Sequence, residues 1–123
     1  MKKTALIVDD SPLIHNLLRR ALEKCNYEVC GDARNGKEGV ELFKKLAPDV
    51  VFMDINMPVM DGLEAVKDIK DFLGKAGGGS RIIMLSAVGD DEIVAKAQEL
   101  GVKTFIRKPF NDYKIISALS MVE

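Results

Sequence analysis

Apolar residues along this chain alternate between two spacings. Short continuous runs occupy residues 4–8 (TALIV), 27–31 (YEVCG), 49–53 (DVVFM), 81–85 (RIIML) and 103–107 (KTFIR). Runs of this length, apolar on both faces, read as buried parallel strands. Between them the spacing becomes helical. Ile14, Leu17, Leu18, Ala21, Leu22 and Cys25 form one stripe, and Val40, Phe43 and Leu46 a second. Leu63, Val66, Ile69 and Leu73 make a third, Ile93, Ala97 and Leu100 a fourth, and Ile116 with Leu119 a fifth. The punctuation agrees: Ser11-Pro12 is an N-cap with a first-turn proline, Asp61-Gly62 opens the third helix, and Gly101 closes the fourth. Five repeats of strand then helix predict a doubly wound, parallel α/β sheet with right-handed crossovers.

Composition narrows the class without naming a chemistry. At 123 residues the chain reads as one domain, 1–123, able to bury about two-thirds of its unfolded surface. A net charge of −1 gives no bulk attraction to nucleic acid or an anionic membrane. The apolar runs fall far short of the about 20 residues that a membrane span needs. Two lysines open the chain, but aspartates arrive at residue 9, so no signal-peptide core follows. Cys25 and Cys30 fit neither a CxxC motif nor a disulfide framework, and a reducing, cytoplasmic setting is expected. The glycine run GKAGGGS (74–80) follows a helix and precedes a strand, the reverse of a phosphate-binding loop, and reads as a flexible connection.

The chemistry lies at the strand ends. In open parallel sheets, ligands bind beyond the carboxyl ends of the strands, where the winding direction switches. The residues just past those ends are Asp9 and Asp10, Asp54, Ser86 and Lys108, from strands one, three, four and five. Asp32, past strand two, falls at an edge and apart from them. Three carboxylates repel one another unless a hard divalent cation neutralises them, and an all-oxygen donor set favours Mg²⁺. Mg²⁺ keeps waters and accepts phosphoryl oxygens, which points to phosphoryl transfer. Asp54 is then the candidate nucleophile, forming an acyl phosphate. Lys108 as a point charge and Ser86 as a hydroxyl donor suit the remaining phosphoryl oxygens.

LIVDDS, DVVFMDINMPVMDGLEA, IIMLSA and FIRKPF, in this order and spacing, resemble the receiver domains of two-component response regulators. The resemblance covers essentially the whole chain. It implies a flavodoxin-like (βα)5 fold with strand order 2-1-3-4-5, and Asp54 as phosphoacceptor. It further implies Mg²⁺ ligated by Asp10, Asp54 and the backbone carbonyl of Asn56, with Asp9 acting largely through water. Ser86 and Lys108 take phosphoryl-sensing roles, Lys108-Pro109 the family's cis peptide, and Phe105 the aromatic switch. Asn56, two residues past Asp54, is placed to orient water, whereas Val88, two past Ser86, has no polar side-chain atom. The implied partners are a histidine kinase as phosphodonor and a downstream target protein, such as the flagellar motor switch or another chemotaxis protein. The target face would be helix four, strand five and helix five, roughly residues 90–121. There Asp90, Asp91, Glu92 and Glu99 mix with Lys96, Lys103, Arg107 and Lys114, a pattern expected of a solvated surface.

The leading expectation is therefore a Mg²⁺-dependent phospho-switch, not an enzyme with turnover, that assists its own phosphorylation and dephosphorylation. A stand-alone chemotaxis-type regulator and a receiver excised from a larger regulator both fit. A haloacid-dehalogenase-type phosphohydrolase uses similar residues but needs Asp-x-Asp after its first strand, which is missing here. His15 is expected to face solvent, and Cys25 and Cys30 to be small core residues.

Overall fold

The structure is a computed structural model and describes residues 2–74 and 81–123. Ten elements alternate: β1 (Lys3–Val8), α1 (Pro12–Lys24), β2 (Tyr27–Ala33), α2 (Gly36–Leu46), β3 (Val50–Asp54), α3 (Gly62–Leu73), β4 (Arg81–Ser86), α4 (Asp91–Glu99), β5 (Thr104–Arg107) and α5 (Asp112–Val122). The strands form one parallel sheet in the order β2-β1-β3-β4-β5. This is the doubly wound arrangement, with its switch point between β1 and β3. Residues 75–80 of the glycine run lie outside the described residues.

Strand alternation builds two cores. Leu6, Val8, Val51, Met53, Ile82 and Met84 face one side, where Val40, Phe43, Val66, Ile69 and Ala97 from α2, α3 and α4 cover them. Ala5, Ile7, Val50, Phe52, Ile83 and Leu85 face the other, against Leu18, Ala21 and Leu22 of α1 and Ile115, Ala118 and Leu119 of α5. Helices on both faces bury every strand except the outer edges, which is why the runs are continuously apolar.

The helix starts follow their local chemistry. Ser11 caps α1 by accepting from the Ile14 amide, with Pro12 in the first turn. Asp61 caps α3 through the Glu64 amide at 2.9 Å. Gly101, with φ of 99°, adopts the left-handed conformation that ends α4.

Three readings change in position. The buried stripe of α5 is Ile115, Ala118 and Leu119, while Ile116 is 41% exposed; with only Leu119 as a second anchor, the two-residue stripe could not fix the helix's rotation. Cys25 and Cys30 are half-buried rather than in the core. Cys30 is the extra residue of an irregularity in the β1–β2 ladder, and its thiol donates to the Ala5 carbonyl at 3.4 Å. Asp54 and Ser86 are the last residues of their strands rather than the first beyond them.

Candidate functional site

Sheet register places the strand-end residues before any side chain is considered. Val8 pairs with Met53, so Asp9 is level with Asp54. Asp54 pairs with Leu85, and Ser86 with Arg107, which sets Ser86 one step past Asp54 and Lys108 one step past Ser86. The Lys108 amide donates to the Ser86 carbonyl at 2.7 Å, tying those two chain ends together. The Lys108–Pro109 peptide is cis.

The side chains converge accordingly. Asp9, Asp10 and Asp54 each offer a carboxylate oxygen, and these oxygens lie within 4.8 Å of one another. The Lys108 ammonium donates to Asp54 Oδ1 at 3.0 Å and to Asp9 Oδ2 at 3.2 Å. Asp9 is fully buried and its Oδ1 accepts from the Ser11 amide at 2.8 Å, so it is braced from two directions. Asp54 is 4% exposed and Ser86 7%, whereas Asp10 faces solvent. The loop beneath is held tightly. The Gly62 amide donates to the Ile55 carbonyl at 2.8 Å, and a Cβ on Gly62 would sit 2.1 Å from the Asp54 carbonyl oxygen. Only glycine fits there.

Electrostatics mark Asp54 out. Burial, then the charge of Asp9, push its carboxyl up to about 6 from 3.8, against the opposing hydrogen bond and charge of Lys108. Burial disfavours the Lys108 ammonium, but its hydrogen bond to Asp54 and the charges of Asp54 and Asp9 outweigh that and raise its pKa. One lysine thus serves two buried carboxylates with a third alongside. With all four ionised, two negative charges are left uncompensated. A divalent cation with oxygen preference matches both that charge and that donor set, so the residues fit Mg²⁺.

The pattern of the response regulator receiver domain matches residues 5–120. The chain belongs to that family. The chemotaxis protein CheY of Thermotoga maritima is 43% identical over 122 residues, covering 99% of this chain and 98% of that protein. A CheY from Borrelia burgdorferi, solved in a CheX-CheY-BeF3-Mg complex, superposes with a TM-score of 0.88 at 32% identity over 98% of this chain and 88% of that one. The receiver also matches a methylesterase/glutaminase of Methanococcoides burtonii at 45% identity, over 85% of this chain and 29% of that larger protein. Receivers are signalling domains of two-component systems, and with this membership the phosphohydrolase alternative loses its footing.

Two residues are placed differently from their sequence reading. His15 does not face solvent: its side chain is 13% exposed, with Nδ1 2.8 Å from Asp32 and Nε2 2.6 Å from the Asp9 carbonyl oxygen. Asp32, with Arg19 on its other oxygen, thereby braces the backbone of Asp9 from the sheet edge. Asp90 is not part of a solvated charge pattern. It is 8% exposed, and its carboxylate accepts from the Ala87 amide at 2.7 Å and from Asn56 Nδ2 at 3.3 Å. Neither role had a local signature, since both depend on partners from distant segments. Phe105 is half-buried against the α2–α4 core, beside a groove between β5 and α5 that Arg107, Tyr113, Lys114 and Met121 also line.

Proposed function

We propose that this receiver, spanning residues 1–123, is a phosphorylation-driven switch of the chemotaxis type. Asp54 is the phosphoacceptor. Asp10, Asp54 and the backbone carbonyl of Asn56 would hold Mg²⁺, with Asp9 contributing largely through water. Bound Mg²⁺ would supply positive charge to the phosphoryl oxygens during transfer. The observation that carries this reading is the Asp9–Asp10–Asp54 cluster with Lys108 bonded to its two buried members.

The chain's own residues do the rest. An Asp54 carboxylate oxygen attacks the phosphorus of a phosphohistidine on the kinase. The P–N bond breaks, and its electron pair returns to the imidazole nitrogen. Lys108, already 3.0 Å from Asp54, follows the negative charge as it moves onto the phosphoryl group, and the Ser86 hydroxyl donates to another oxygen. Attack requires the ionised carboxylate, so the raised pKa of Asp54 places metal-free Asp54 partly protonated near pH 6. Movement of Ser86 draws Phe105 inward, and the face formed by α4, β5 and α5 changes its affinity for a target protein. Such coupling is typically about 1–3 kcal/mol. The histidine kinase and the target are proteins, with neither nucleic acid nor membrane called for, and the expected setting is cytoplasmic. Among the described residues no helix is long and apolar enough to cross a membrane.

A second reading has its own support. The match to 29% of a larger methylesterase/glutaminase fits a receiver working as one module of a longer regulator, with the same switch driving a covalent neighbour. The central test is labelling by acetyl phosphate with Mg²⁺. The wild type should take up one phosphoryl group and Asp54→Asn none, with the circular dichroism of the two unchanged. Label retained on Asp54→Asn would show that a different side chain is the acceptor.

A further inference from the structure

Four polar or charged side chains are buried among the described residues: Asp9, Asp54, Ser86 and Asp90. The first three belong to the site above, and Asp90 belongs to no part of it. A buried carboxylate persists only where hydrogen bonds replace its water. Asp90 stands at the N-cap position of α4, where an aspartate ordinarily bonds the first helical amides. It makes no such bond. Its carboxylate turns back instead, to the Ala87 amide at 2.7 Å and the Asn56 carboxamide, whose Nδ2 is 3.3 Å from Oδ1 and 3.5 Å from Oδ2. The turn that allows this is closed by the Asp90 amide on the Ala87 carbonyl at 3.2 Å, with Gly89 at φ of 95°. Asn56 lies two residues past Asp54 and Ala87 one past Ser86, so one carboxylate staples together the two loops that leave the central strand ends.

We propose that Asp90 is a positioning residue for hydrolysis of the acyl phosphate on Asp54, acting through Asn56; the proposal rests on Asp54 being the phosphoacceptor. An ionised carboxylate only accepts hydrogen bonds, so it takes the NH₂ end of the Asn56 side chain and dictates which way the amide faces. The carboxamide oxygen is thereby turned away from Asp90. It carries no hydrogen bond within the protein among the described residues, and Asn56 is exposed. A fixed, unspent acceptor two residues past Asp54 is suited to hold a water. Val88, 86% exposed on the β4 loop, offers such a water no polar side-chain atom. In the step itself the water oxygen bonds to phosphorus and the P–O bond to the Asp54 carboxylate breaks. Its electron pair stays on Asp54, the water's proton passes to solvent, and inorganic phosphate leaves. Asp90 touches none of the reacting atoms.

The test is the decay of labelled protein. The full chain is loaded with acetyl [³²P]phosphate and Mg²⁺, freed of donor, and followed for loss of label. Asp90→Ser supplies a hydroxyl able to cap α4 but removes the staple. Asp90→Asn keeps the shape, and its own NH₂ group would face Asn56 and turn that carboxamide over. Both should slow label loss roughly tenfold, the low end for losing an outer partner that orients a functional group. Asn56→Ala should slow it as much, and the double variant Asp90→Asn/Asn56→Ala should be no slower than either single change. A purely structural role for Asp90 would make the two effects multiply. Multiplying effects, or unchanged or faster decay in the folded Asp90→Asn variant, overturn the proposal. Failure of the wild type to take label, or label kept by Asp54→Asn, refutes the phosphoacceptor assignment and the proposal with it, an outcome distinct from intact labelling with an unmoved decay.

Discussion

If Asp54 carries the burden that its surroundings impose, neutralising it should strengthen the fold while abolishing its chemistry. Its carboxyl is pushed up to about 6 from 3.8, by burial first and then by Asp9. A raised carboxyl pKa means that the folded state binds the proton more tightly than the unfolded chain. Stability contributed by this group is therefore lost as pH rises from 3.8 to about 6, and the full penalty holds above that. The rise corresponds to about 3 kcal/mol. Asp10 faces solvent and Lys108 is partly exposed, so screening by water reduces the usable figure to about 1–2 kcal/mol. Asp54→Asn removes that penalty, keeps the volume and still offers an oxygen to Lys108. In urea unfolding with a chelator at pH 7.5, the variant should be more stable by about 1–2 kcal/mol, which for a domain of this size raises Tm by about 5 °C. Near pH 4 the two proteins should converge. A variant less stable than the wild type at pH 7.5, or an advantage that stays constant down to pH 4, would refute the electrostatic account of this site.

Two further outcomes follow from the same packing and charge. Mg²⁺ should stabilise the wild type in proportion to its occupancy, by about 3 kcal/mol at a hundredfold excess over Kd; Asp10→Ala should lose most of that gain, and a Tm that ignores Mg²⁺ would count against the metal site. Ile115→Ala should cost about 2–5 kcal/mol in urea unfolding, since Ile115 is fully buried, while Ile116→Ala should cost under about 1 kcal/mol. Equal losses would mean that α5 is rotated relative to the packing described.

The alternation of apolar spacings determined this protein's class of fold. Strands buried on both faces and helices buried on one leave patterns within a single segment, so residues 49–53 or the α1 stripe are legible alone. The polar residues at four strand ends were legible for a related reason: a parallel sheet brings all its carboxyl ends to one edge, whatever the loops do. That logic placed Asp9, Asp10, Asp54, Ser86 and Lys108 together, where the sheet register sets Asp9 level with Asp54.

Only the tertiary structure decided how each polar side chain is spent. Asp90 and Asp91 are neighbours of identical type, yet one is buried between two loops and the other is exposed. His15 falls among the apolar positions of α1, and its burial depends on Asp32 from the second strand and the Asp9 carbonyl. The rotation of α5, which buries Ile115 and exposes Ile116, is set by the sheet and α1 that it packs against. A hydrogen bond across 34 residues, as between Asn56 and Asp90, leaves no periodic trace. Its partners share no local pattern and meet only because the chain crosses over from one strand to the next.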